Sequence, residues 1–188
     1  LKLAFQDRSE EFKFDLTFQH IMQERQYETG YFGSFYEVER FSIVNEEEDL
    51  IETKTNSLYQ KPSEGNKYRA LLNVGFKDRF ELKMNYEKGY KSANDGILNA
   101  SLRIDDFLPQ VNVEAGYIKK KLNSSRELGI LDENTLVSAK AEFVLMKNLT
   151  FSSEFEWTFT PDEIQNNKVI SYKTQQLVEP KLNFRFKF

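Results

Sequence analysis

The stretch RFELKMNYEKGY, from Arg79 to Tyr90, alternates with period two: Phe80, Leu82, Met84 and Tyr86 fall on one side of an extended chain, and Arg79, Glu81, Lys83, Asn85 and Glu87 on the other. A helix would space its apolar residues three and four apart, so this stretch is a strand with one apolar and one charged face. The same alternation recurs outward in both directions. Upstream, Phe12, Phe14, Leu16 and Phe18 alternate with Lys13, Asp15, Thr17 and Gln19, and Tyr68, Ala70, Leu72, Val74 and Phe76 with Arg69, Asn73 and Lys77. Downstream come Leu98 to Ile104, Val111 to Tyr117, Ala139 to Leu145, Phe151 to Phe159 and Val178 to Phe188. No strand-helix-strand unit interrupts them, and the fold class is all-β.

The connections alternate in length. Lys77 to Arg79, Asp105 to Pro109 and Lys147 to Asn148 read as tight turns, whereas Lys91 to Gly96, Lys119 to Thr135 and Pro161 to Lys168 read as longer polar loops. This predicts an antiparallel up-and-down meander with two chemically different ends. Strands are expected at 67–77, 80–90, 97–105, 110–118, 136–146, 149–160 and 178–188, preceded by 30–44, 11–22 and a stub at Leu1, Leu3 and Phe5. Ten strands result if 45–66 is one loop, and eleven if 50–60 is a strand after the acidic turn Glu46 to Asp49. That run lacks the spaced ligands and glycine of a calcium loop and reads as solvated charge.

With 188 residues the chain suits one domain. It has 26 Lys+Arg against 30 Asp+Glu, a net charge of −4 with both signs interspersed, so it lacks the basic footprint of a nucleic-acid binder. The absence of cysteine excludes disulfides and thiolate chemistry. Aromatic residues make up 14%, too many for a disordered chain. The start at Leu1, without a Met or a signal peptide, is expected of a processed chain or a fragment.

Alternation also suits a soluble barrel or sandwich, so the placement of particular residues decides the medium. Strands of about 9 to 11 residues are what a tilted strand needs to cross a bilayer. Aromatics gather near strand ends, with Tyr86, Tyr90, Tyr117, Trp157 and Phe159 toward the long loops and Phe76, Phe80, Phe186 and Phe188 toward the short turns. Two such belts are the girdles of a membrane barrel. The opposite face carries Glu81, Lys83, Glu87, Arg103, Glu114, Lys140, Glu142, Glu154, Glu156, Lys181 and Arg185, expected to line a lumen and to pair across neighbouring strands.

The final stretch PKLNFRFKF, with Pro180, Leu182, Phe184, Phe186 and Phe188 in phase, resembles the assembly signal of bacterial outer-membrane β-barrel proteins. Glu179-Pro180 followed by alternation is also similar to the last strand of TonB-dependent receptors, though no receptor motif accompanies it. The superfamily resemblance implies an antiparallel up-and-down transmembrane barrel, complete with about ten strands or part of a larger one. It further implies residence in the Gram-negative outer membrane with the C-terminus periplasmic. Expected partners are outer-membrane lipid, the barrel-assembly machinery during biogenesis, and other proteins of a complex, with no nucleic acid.

The only histidine, His20, lies in phase with Phe18 near a strand end, and with Ser34 or Ser42 it makes the one acyl-transfer candidate. An interfacial histidine without catalytic role is the simpler reading. No Gly-rich phosphate loop, zinc motif or nucleotide fingerprint is present, and no cofactor is expected. The leading expectation is a non-enzymatic outer-membrane barrel acting as a porin-like pore, transport component or membrane anchor. The alternatives are an outer-membrane enzyme modifying lipid or protein, a scaffold or client subunit of a complex, and a soluble barrel holding an apolar ligand.

Overall fold

Among the described residues, the backbone is extended wherever the alternation is sustained. The computed structural model describes residues 1–6, 11–23, 41–45, 50–53, 65–90, 95–146, 148–165 and 168–184. These form β1 (Lys2–Gln6), β2 (Phe12–Gln23), β3 (Phe41–Asn45), β4 (Leu50–Thr53), β5 (Gly65–Phe76), β6 (Phe80–Gly89), β7 (Gly96–Leu108), β8 (Val111–Leu122), β9 (Thr135–Met146), β10 (Leu149–Gln165) and β11 (Lys168–Phe184). Apart from a short 3-10 turn at Ser125–Gly129, no helix occurs among the described residues.

Nine strands form one antiparallel up-and-down sheet in the order β1-β2-β5-β6-β7-β8-β9-β10-β11, and β3 pairs with β4 as a separate hairpin. The sheet is open: among the described residues β1 pairs only with β2 and β11 only with β10. The region 45–66, which the sequence allows as one loop, therefore contains a strand at Leu50–Thr53.

Strand ends depart from the sequence reading in one instructive place. The stretch 161–168, expected as a loop, is mostly strand. β10 runs through Pro161 to Gln165 and β11 begins at Lys168, ten residues before the expected start. Proline cannot donate to a ladder, and the register shifts at Pro161/Glu163 and Glu163/Ile164 mark irregular pairing there that tolerates it. The two strands of 17 residues make the longest hairpin of the sheet.

At the opposite end the turns are tight. Between β5 and β6, Lys77 and Asp78 both adopt positive φ, 54° and 49°, and the Arg79 N–H donates to the Phe76 carbonyl at 3.1 Å. This is the type I′ geometry whose twist matches a hairpin, formed here without its preferred Asn-Gly. Lys77 bears the greater left-handed cost, since Asp tolerates that region better. Replacing Lys77 with Asn should raise the stability by about 0.5–1 kcal/mol, read as a higher urea midpoint. The ion pair lost with Glu11, 3.9 Å and half exposed, offsets little of it.

Candidate functional site

Register assigns every side chain to a face. Phe14–Val74–Leu82–Leu102–Ala115–Ala139–Phe155–Val178 belong to one face across β2 to β11, together with Leu16, Leu72, Met84 and Ala100. Nothing described covers this face. Phe76 is 46% exposed, Phe143 39% and Leu182 55%, and among the described residues the buried apolar ones are Leu98, Leu122 and Leu136. A sheet of this size in water would bury its apolar face against a second layer.

The exposed face is bordered by aromatics at both ends. At the short-turn end, Phe12, Phe76 and Phe80 stand in adjacent register, and Phe5–Phe12 and Phe143–Phe151 make ring contacts at 6.3 Å. At the long-loop end, Tyr68 lies 6.1 Å from Tyr86 and 5.8 Å from Tyr90, with His20 edge-on to Tyr90 at 5.6 Å. Tyr117 and Trp157 flank Val137 in register, Trp157 stacks on Phe155, and Phe159 sits one step further up β10. From Phe76 to Tyr68 along β5 is about 27 Å at the usual rise of a strand.

The other face is charged and concave. A groove of about 640 Å³ opens on it, floored by β5 through β10, where Lys83, Glu114, Glu154, Glu156 and the amides of Asn73, Asn85 and Asn99 stand beside the apolar Leu71, Ile118 and Leu136. Register aligns Glu81–Arg103–Glu114–Lys140–Glu154 as one row of alternating sign across β6 to β10. On β11 the row meets a like charge, Glu179 opposite Glu154, and Lys181, two residues further along β11, lies 2.9 Å from both carboxylates. Other pairs run along single strands: Lys83–Glu81 at 2.7 Å, Arg103–Asp105 at 2.9 Å and Lys140–Glu142 at 3.9 Å. Near the long-loop end, Arg69 Nε and Nη2 donate to Glu87 Oε2 at 3.0 and 2.6 Å, with Lys67 3.5 Å from the other oxygen. Glu87 is 6% exposed, so its charge is balanced by two cations rather than by bulk water. The Oδ1 atoms of Asn73 and Asn85 and the Oγ of Ser152 are enclosed without a hydrogen-bond partner.

Two lysines break the pattern, the half-buried Lys88 opposite Tyr68 and, more deeply, Lys119. Lys119 shares the apolar phase with Tyr117, paired with Leu98 and Thr135, yet it is 2% exposed. The loop between β8 and β9 folds over it. Its ammonium donates to the Ile130 carbonyl at 2.7 Å and to Thr135 Oγ1 at 2.9 Å, and lies 2.7 Å from Asp132 Oδ1. Burial alone would push the Asp132 carboxyl up, but hydrogen bonds from Lys119 and the Asn134 amide, with the Lys119 charge, outweigh it and hold the group below its usual range.

Of the expected lumen residues, Glu81, Lys83, Glu87, Arg103, Glu114, Lys140, Glu142, Glu154, Glu156 and Lys181 share the concave face by register, and Arg185 lies outside the described residues. Pro180, Leu182 and Phe184 follow the apolar phase of β11, while Phe186 and Phe188 lie outside the described residues. His20 sits in the aromatic cluster; Ser34 lies outside the described residues and Ser42 on the separate hairpin. Tyr68 and Lys119 escaped sequence reading as site residues. The tyrosine's position at a strand start was a usable signal, but no local pattern reveals a lysine caged by a loop more than ten residues away.

Among the described residues no group of three or more Asp, Glu or His is placed to hold a metal ion, and no helix is long and apolar enough to cross a membrane. No family model matches the chain, and no curated protein or solved structure matches it significantly.

Two predictions test this electrostatics. Glu87→Ala leaves two cations facing each other and should cost about 2 kcal/mol, with Glu87→Gln costing less, in urea titrations at neutral pH. For Asp132, a carboxyl lowered by folding contributes stability that is full above its unfolded value and lost as pH falls through the folded one. Asp132→Asn should therefore be destabilised relative to wild type above about pH 5, with the difference shrinking as the pH falls through the lowered folded value.

Proposed function

We propose that this chain forms the wall of a bacterial outer-membrane β-barrel, a non-enzymatic protein that serves as a pore, transport component or membrane anchor. One observation carries the reading: the concave face is charged and the convex face is apolar and uncovered, the reverse of a soluble barrel. In lipid the apolar face needs no second layer, and the charges find water or each other inside. The aromatic borders at both ends support the same placement, since Tyr and Trp favour the membrane-water interface. β11 runs toward the short-turn end, which in this reading is periplasmic.

Backbone groups left unpaired in lipid are costly, so the free edges of β1 and β11 require partners. Nine alternating strands leave these two edges running in the same direction. Antiparallel closure therefore takes an odd number of further strands, giving the even total usual for such barrels; the β3–β4 hairpin, being a pair, leaves that parity unchanged. We read the sheet as part of a larger barrel. Its lining of mixed sign predicts weak ion selectivity, and the enclosed acceptors of Asn73, Asn85 and Ser152 favour hydrogen-bond donors at the groove floor.

Migration of the detergent-extracted protein with and without boiling tests this. A heat-dependent shift at single-chain mass would mean self-contained closure. A shift only at higher mass, or detergent dependence without any shift, would mean a wall completed by other strands. A protein that stays monodisperse without detergent sinks the membrane reading.

A further inference from the structure

The loop between β8 and β9 is built to hold aliphatic side chains outward at the upper border of the apolar face. Two anchors rise from that face itself: the Tyr117 hydroxyl donates to the Leu128 carbonyl at 2.6 Å, and the Lys119 ammonium to the Ile130 carbonyl. Both residues are in the apolar phase, so the loop lies on the convex side and not across the mouth of the groove. Each of its three acidic groups has a partner, the exposed Glu133 taking a hydrogen bond from the Tyr172 hydroxyl of β11. Glu127 accepts from the Asn123 amide at 2.9 Å and from Ser124 Oγ at 3.4 Å, and Asp132 meets Lys119. Leu128, Ile130 and Leu131 remain exposed, at 36%, 51% and 47%.

Resting on the membrane reading above, we propose that this loop is a lipid foot: Leu128, Ile130 and Leu131 enter the boundary between headgroups and acyl chains of the outer leaflet. The occupant follows from continuity. The three side chains extend the surface of Tyr117, Val137 and Trp157, which in that reading already meets lipid. The caged lysine agrees with this depth. A cation on a lipid-facing strand is costly toward the bilayer middle and nearly free at its border, and here Asp132 and two oxygen acceptors neutralise it where the apolar face gives way to loop. Exposed aliphatics on a loop whose acids are tied up is the distribution an interfacial segment requires.

The chain has no cysteine, so single-cysteine variants can report depth. Ile130→Cys, Ala115→Cys at the middle of the apolar face and Asp162→Cys on the β10–β11 hairpin would each carry an NBD probe. The vesicles would be phosphatidylethanolamine and phosphatidylglycerol containing lipids spin-labelled near the headgroup or deep in the chain, with iodide as aqueous quencher. The expected result is strongest quenching of Ile130 by the shallow spin label, of Ala115 by the deep one and of Asp162 by iodide. Adding Tyr117→Phe, which removes one anchor, should cut the lipid quenching at Ile130 about twofold or more while leaving Ala115 unchanged. If Ala115 stays lipid-quenched and Ile130 responds only to iodide, the lipid foot is overturned and the barrel reading survives. If Ala115 also responds only to iodide, the barrel reading fails and the foot with it.

Discussion

Backbone pairing across nine antiparallel strands ties the phase of every side chain to that of its neighbours, and the remaining features depend on that register. A slip of one residue at any ladder would send a strand's aromatics into the groove and its charges onto the apolar face. The ladders run without a shift along β2–β5, β5–β6, β6–β7 and β8–β9, so each residue keeps its face through the middle of the sheet, and Leu71, Ile118 and Leu136 fall among the polar residues of the charged face. Irregularities occur toward strand ends, as at Ile104/Leu108 and Pro161/Glu163, where a bulge disturbs only the rim.

The same register organises charge. Glu81, Arg103, Glu114, Lys140 and Glu154 come from different strands, and none has its register partner nearby in sequence. Side by side they form a row in which each charge faces its opposite, an arrangement that stabilises cross-strand pairs and limits the field any one residue projects into the groove. The direct contacts add short bridges along the strands, so the lining is a mesh and not a single-sign ring.

The two ends of the sheet obey different rules. Tight turns with positive φ at Lys77, Asp78 and Gln110 close one end with little more than backbone geometry. The other end carries built structure: the aromatic cluster of His20, Tyr68, Tyr86 and Tyr90, the caged Lys119, and the long β10–β11 hairpin. Its loop over Lys119 resolves a local conflict, since a cation in the apolar phase is acceptable only when its charge is met, and Asp132 meets it at 2.7 Å.

The sequence by itself determined the strands and their faces, because side chains alternate along any extended chain: the Phe80–Leu82–Met84–Tyr86 phase is legible without knowing what lies beside it. It also marked the aromatic ends and the charged character of the inner face. It misplaced the β10–β11 connection, where Pro161 and the polar residues after it look like a loop but are carried as strand by pairing with the partner hairpin arm. Only the tertiary structure decided which charges stand together, that Lys119 is buried beneath a loop, and that a groove opens on the charged face. Pairing between strands depends on register and curvature, which arise from contacts between residues distant in sequence, and no local pattern encodes them.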